Sequence, residues 1–152
     1  MISAGEKAPY FSLPNHQGKP VSLSDFPGRR VLLVFYPNDF SPVCSDQLSI
    51  YQEVKPSLDD AGLQVLGVSI DHSWAHRAFR KHLNIEFTLL ADFHPKGEVA
   101  RLYGAYLDDY GTSNRSLVLI DQNGIVEWVH ESPTPLEIPG ANLIFDALEA
   151  TK

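Results

Sequence analysis

The chain has 152 residues, enough for one domain of ordinary size and too few for two average ones. With 43% apolar and 20% charged residues it can build a buried core, which sets disorder aside. Its net charge of −7, with the twelve basic residues scattered, argues against DNA or RNA as a partner, because phosphate binding needs clustered positive charge. No apolar run approaches the ~18 residues of a membrane span. The opening Met1–Lys7 lacks the basic-then-apolar pattern of a secretory signal, so the expectation is a cytoplasmic protein with no membrane partner.

In chain order, Phe11–Leu13 and Val21–Leu23 read as short strands around the Pro14-Asn15-His16-Gln17-Gly18 turn. Pro27-Gly28 then leads into Val31–Tyr36, a continuous apolar run of the kind found in a central strand covered on both faces. Leu48, Tyr51, Val54 and Leu58 recur at helical spacing, with Pro56 placed to kink or end that helix. Leu63–Ile70 is a second buried strand. Trp74, Ala78, Phe79 and Leu83 mark a helix capped by Asp71 or Ser73. Phe87–Leu90 reads as a strand and Gly97–Tyr103 as a short helix.

Ser116–Asp121 and Ile125–Val129 flank Gln122-Asn123-Gly124, a hairpin signal. Asn142–Ala150 closes the chain as a helix with Leu143, Ala147 and Leu148 inward. Parallel crossovers followed by an antiparallel pair predict an α/β three-layer sandwich around a mixed sheet, in a single domain spanning residues 1–152.

The chemistry concentrates in Tyr36-Pro37-Asn38-Asp39-Phe40-Ser41-Pro42-Val43-Cys44, just past the carboxyl end of a buried strand, where open α/β sheets place their sites. Cys44 is the one cysteine, so an internal disulfide, a CxxC pair and a Cys-rich zinc site are all excluded. Ser41 followed by Pro42 matches a helix N-cap and a proline at the first helical position. Val43 and Cys44 then fall in the first turn, where amides lack helical partners and the helix dipole favours negative charge.

A free thiol titrates near ~8.5 and is about 3% thiolate at neutral pH; a value of about 6 would make it about 90% thiolate, at a cost of roughly 3.4 kcal/mol. A helix terminus supplies only about 0.3–2 kcal/mol. Asp39 and Asp46 would oppose the shift, so a cation is required from elsewhere in the fold. Arg29 and Arg30 precede the strand whose far end delivers Cys44, which places them at the opposite edge. Arg77, Arg80 and Arg101 fall on solvated helix faces. Arg115, at the start of an apolar strand, is the candidate that could reach over the strand ends.

Pro37-x-x-x-Ser41-x-x-Cys44 resembles the P-x-x-x-(T/S)-x-x-C signature of the peroxiredoxins. Gly5-x-x-Ala8-Pro9-x-Phe11-x-Leu13, Val68-Ser69-Ile70-Asp71 with His76, Leu89-Leu90-Ala91-Asp92, and Arg115 followed by Asp121-x-x-Gly124 resemble the family's other blocks in order. The short C-terminus and Phe93-His94-Pro95-x-Gly97 resemble the one-cysteine, alkyl hydroperoxide reductase E-like subgroup. The resemblance implies a thioredoxin-like fold and no cofactor. It makes Cys44 the peroxidatic nucleophile, with Pro37 as its shield, Ser41 as a hydroxyl donor to peroxide and Arg115 as the active-site arginine. Gln47 stands where many relatives carry Glu, so an arginine-orienting carboxylate is either missing or replaced by a neutral amide.

The implied activity is thiol-dependent reduction of hydrogen peroxide or organic hydroperoxides. The Cys44 sulfenic acid, lacking a second cysteine, is resolved by an external thiol, either a small thiol or a dithiol protein. A homodimer is also implied, with Phe40, Trp74 and Phe93 near the contact. Three other readings compete. Cys44 could be an inert core thiol. His72 and His76, spaced i, i+4, with His82 beyond, could bind a metal, although solvating or capping roles suit them better. A non-enzymatic scaffold is the third, and it would have no use for Pro37, Ser41 and Arg115.

Overall fold

A computed structural model describes every residue from Met1 to Lys152. Five strands form the central sheet: β3 (Arg30–Phe35), β4 (Leu63–Ser69), β5 (Thr88–Ala91), β8 (Ser116–Ile120) and β9 (Val126–Glu131), in the order β5-β4-β3-β8-β9. β3, β4 and β5 run parallel, and β8 and β9 are antiparallel, which is the mixed sheet the element order predicts. Two further antiparallel pairs lie outside it: β1 (Leu13–Pro14) with β2 (Pro20–Val21), and β6 (Tyr106–Leu107) with β7 (Thr112–Ser113).

β3 holds the centre because both of its faces are covered. Leu32, Val34 and Tyr36 enter one core with Leu48, Tyr51, Phe79, Ile144 and Leu148. Val31, Leu33 and Phe35 enter the other with Phe11, Val99, Ala100 and Tyr103. Each such side chain removed from water contributes about 1.5–3 kcal/mol, and the alternation of the pleat divides them between the two layers. Helices α1 (Pro42–Glu53), α2 (Lys55–Asp60), α3 (Ser73–Leu83) and α5 (Ala141–Ala150) supply the first core, and α4 (Glu98–Leu102) the second. None of them is long and apolar enough to cross a membrane.

Local chemistry sets most of the boundaries. Pro56 does end a helix: α1 stops at Glu53, and α2 restarts with Pro56 in its first turn. The β8–β9 hairpin turns on Asp121, whose Oδ1 accepts from the amides of Asn123 at 2.8 Å and Ile125 at 2.9 Å, and on Gly124 at φ +80°. Several expectations need correction. Val21–Leu23 is not a strand throughout, since Leu23–Asp25 forms a 3-10 turn capped by Ser22. The N-cap of α3 is His72, whose Nδ1 accepts from the Trp74 amide at 3.3 Å, rather than Asp71 or Ser73. Trp74 and Ala78 face outward, and Ser73, His76 and Phe79 face in. In α5 Ala147 and Leu148 are buried as expected, but Ile144 takes the inward place expected of Leu143, which is half-buried.

Candidate active site

The site assembles where the carboxyl end of β3 meets the start of β8. Phe35 pairs with Ser116 in the antiparallel register, so Arg115 lies beside the strand end that leads into Tyr36 and Pro37. The following loop delivers Ser41 as N-cap and Pro42 as the first residue of α1, as their side-chain chemistry predicts. Ser41 Oγ accepts the Cys44 amide at 3.2 Å. The Cys44 N–H is thus engaged by the cap, and the Val43 N–H is the first-turn amide left without a protein partner. The Ser41 hydroxyl hydrogen stays free to donate.

Cys44 is a free cysteine with no exposed surface, packed within the first core. A thiol there would pass for a small hydrophobe but for its neighbour: Arg115 Nη2 lies 3.2 Å from Sγ. Arg115 is itself only 2% exposed. A buried guanidinium is tolerated when its fork is satisfied. Here Nη1 donates to Gln47 Oε1 at 2.9 Å and Nε donates to the carbonyl of Pro135. The Gln47 amide therefore occupies the arginine-orienting position, three residues beyond Cys44.

The other end of that amide is held as well. Gln47 Nε2 donates to the Tyr51 hydroxyl at 3.1 Å, and Tyr51 donates to the Pro139 carbonyl at 2.6 Å. Burial above all pushes the Tyr51 phenol up to about 12, so it remains a donor throughout the neutral range. Sequence reasoning missed Tyr51 and both proline carbonyls; Tyr51 had registered only as an apolar position on a helix face. Pro37 is buried and borders a cleft of about 480 Å³ that is also lined by Tyr110, Thr112, Pro135 and Leu136.

The remaining cations stay away. Arg30 pairs with Glu127 at 2.8 Å at the opposite end of β3, and Arg29 donates to Gln64. Arg77 stacks over Trp74, and Arg101 pairs with Asp108. Arg80 is less solvated than expected, because its Nε donates to the Phe87 carbonyl at 2.9 Å. Asp46 is exposed, and the Asp39 carboxylate is engaged with Tyr36 and His76. His72 caps a helix from an exposed position, whereas His76 is fully buried, which corrects its reading as a solvated or capping residue.

This arrangement puts a guanidinium against the sulfur, with a free hydroxyl hydrogen on the cap and an unpartnered amide in the same helical turn. It suits a thiol reaction in which negative charge leaves sulfur for a neighbouring atom. Comparison with known proteins points the same way. The AhpC/TSA family model matches residues 4–129. Chloroplastic peroxiredoxin Q of Sedum lineare is 36% identical over 132 residues, covering 86% of this chain and 70% of that protein. Its counterpart from Oryza sativa subsp. japonica is also 36% identical over 132 residues, and there the chain spans 60% of the relative's length.

Among solved structures, Enterococcus faecalis AhpC superposes with a TM-score of 0.90 at 26% identity, covering 99% of this chain and 92% of that one. The reduced 2-Cys peroxiredoxin of Plasmodium vivax gives 0.87 at 29% identity, covering 97% and 80%. The matched span holds the cap, the sulfur and Arg115 on one thioredoxin-like frame, and the chain belongs to the AhpC/TSA family of peroxiredoxins, the thioredoxin-fold thiol peroxidases.

Proposed function

We propose that the chain is a one-cysteine peroxiredoxin of the alkyl hydroperoxide reductase E-like kind, reducing hydrogen peroxide, organic hydroperoxides or both through Cys44. The observation that carries the reading is the 3.2 Å contact between Arg115 Nη2 and the only sulfur able to act as nucleophile. The Cys44 thiolate attacks one peroxide oxygen in line with the O–O bond. An S–O bond forms as the O–O bond breaks, the sulfur is oxidised to sulfenic acid, and the departing oxygen leaves as hydroxide or alkoxide and takes a proton from solvent.

Arg115, the Ser41 hydroxyl and the Val43 amide follow the charge as it passes from sulfur to oxygen, and Pro37 shields the sulfur. Because the sulfur has no exposed surface, peroxide entry requires the rim beside Pro37 to yield. With no second cysteine, an external thiol must attack the sulfenic sulfur, releasing water and then the reduced enzyme after a second thiol exchange.

A homodimer and a cytoplasmic setting complete the proposal. Phe40, Trp74 and Phe93 are 51%, 70% and 50% exposed, an apolar surface suited to a second copy. A lone unpaired thiol suits a reducing compartment. The test is a single turnover. Reduced protein should consume one hydrogen peroxide per chain in a fast phase and yield a dimedone-trapped sulfenic acid at Cys44, and Cys44→Ser should abolish both. Slow consumption at the pace of a free thiol would defeat the assignment.

A further inference from the structure

Behind the nucleophile loop lies a polar cluster that the peroxide step does not use. The Asp39 carboxylate is almost fully enclosed and His76 has no exposure. His76 Nδ1 lies 2.8 Å from Asp39 Oδ2, and His76 Nε2 lies 2.9 Å from the Leu90 carbonyl oxygen. Tyr36 donates its hydroxyl to Asp39 Oδ1 at 2.7 Å, and the Asp39 amide donates to Asp71 Oδ2 at 2.9 Å. Burial, reinforced by the Asp39 charge, raises the Tyr36 phenol, so it stays a donor. Three elements thus converge on one loop residue: the end of β3 through Tyr36, the segment after β4 through Asp71, and α3 through His76.

Proton counting fixes the net charge of the pair. Both ring nitrogens face acceptors, and a neutral imidazole can donate from only one of them. The carboxylate already accepts from Tyr36. One hydrogen on Nε2 for the Leu90 carbonyl and one shared between Asp39 Oδ2 and His76 Nδ1 satisfy every contact, and the pair is neutral overall, the state that burial favours. Asp71 and the His16 ring are the other titratable groups near His76.

The cluster grips the loop at its most constrained point. Phe40 follows Asp39 with φ +68°, a left-handed conformation that a bulky side chain adopts only when its surroundings impose it. Its ring packs on Phe79 at 5.1 Å and His82 at 5.7 Å, both on α3. One helix therefore holds Asp39 through His76 and Phe40 through Phe79, on the two residues between Asn38 and the Ser41 cap.

We propose that Asp39 and His76 are positioning residues for peroxide reduction: their hydrogen-bonded pair, anchored to Tyr36 and Leu90, fixes the loop that presents Pro37 and Ser41 to the Cys44 sulfur. The proposal rests on the peroxidase reading above and adds two residues that touch neither sulfur nor peroxide. The experiment combines single-turnover oxidation by hydrogen peroxide, alkylation of Cys44 by iodoacetamide, and nitrogen NMR of the histidine rings.

Asp39→Ala releases Tyr36 and His76, and peroxide oxidation should slow about 10- to 100-fold, the scale of an ångström-sized misplacement. Alkylation, which needs no aligned Ser41 hydroxyl, should not slow. Asp39→Asn can keep the geometry: Oδ1 accepts from Tyr36, Nδ2 donates to His76 Nδ1, and the ring keeps one hydrogen on Nε2 for Leu90. It should restore the rate to within about threefold of wild type.

The ring spectra should show His76 with a hydrogen on Nε2 and a hydrogen-bonded Nδ1 in both the wild type and Asp39→Asn. A wild-type His76 ring without a hydrogen on Nε2 would overturn the proposal, and so would an Asp39→Ala variant as fast as wild type. Equal loss in both reactions, or an Asp39→Asn variant as slow as Asp39→Ala, would overturn it too. A wild type inert to peroxide would sink the peroxidase reading itself. If Asp39→Ala does not fold, the wild-type and Asp39→Asn spectra and rates still decide.

Discussion

Replacing Arg115 should separate a reactive sulfur from a buried inert one. At 3.2 Å, a negative sulfur and a guanidinium attract by about 5 kcal/mol at an effective dielectric constant near 20. Only the part that strengthens as charge moves onto the peroxide oxygen accelerates the reaction. Removing one preorganised donor of this kind costs about 10²–10³ in rate. Arg115→Ala should therefore slow the peroxide step by that factor, and Arg115→Lys by less. The lysine keeps the charge but lacks the fork that serves Sγ, Gln47 Oε1 and the Pro135 carbonyl together.

Arg115→Ala also leaves the Gln47 and Pro135 oxygens without their donor, at about 1–3 kcal/mol each in folding stability. Rates should be read well below the unfolding midpoint, by stopped-flow mixing of reduced protein with hydrogen peroxide, so that instability does not masquerade as lost catalysis. An Arg115→Ala rate within about threefold of wild type would refute the reasoning, because a charge at that distance cannot be lost so cheaply by a reaction that uses it.

Two further outcomes follow from the same geometry. Tyr51→Phe removes the acceptor for Gln47 Nε2 and the donor to the Pro139 carbonyl. It should lower stability by about 1–3 kcal/mol in chemical denaturation and slow the peroxide step less than Arg115→Ala does. His16 is lowered from 6.5 to about 4, by burial first and then by Arg80, His76 and Arg77. The unfolded chain therefore binds a proton that the fold refuses, and stability should fall as pH drops from about 6.5 to about 4. Thermal midpoints across that window should decline less for His16→Asn, and an identical decline would reject His16 as a source.

The parts legible in the sequence were those written in local chemistry. Ser41-Pro42 announces a helix start, the Val31–Tyr36 run announces a strand covered on two faces, and Asp121 with Gly124 announces a hairpin. Given those elements, connection rules lead to a mixed sheet, and Arg115 is the cation carried toward the strand end. The phase of α3 was not legible, because apolarity assigns Trp74 and Ala78 inward and His76 outward. The acceptors that make a buried His76 tolerable, Asp39 and the Leu90 carbonyl, belong to other elements. Gln47 was visible only as a departure from a pattern, and nothing in its neighbourhood pointed to the Pro139 carbonyl that anchors it through Tyr51.

That division reflects how the site is built. Apart from the cap and the Gln47–Tyr51 bond within α1, the contacts that distinguish Cys44 from a core thiol cross between distant segments: Arg115 to Cys44, Arg115 to Gln47, and Tyr51 to Pro139. The alignment of Arg115 depends on the register in which Phe35 meets Ser116. Because side chains alternate across a sheet, a slip of one residue would turn the guanidinium to the opposite face and leave the sulfur walled in hydrocarbon. Packing that fixes that register, with Leu32, Val34, Leu117 and Leu119 in one core and Val31, Leu33, Phe35, Val118 and Ile120 in the other, is therefore part of the catalytic apparatus. Core substitutions that loosen β3 against β8 should lower reactivity before they unfold the chain.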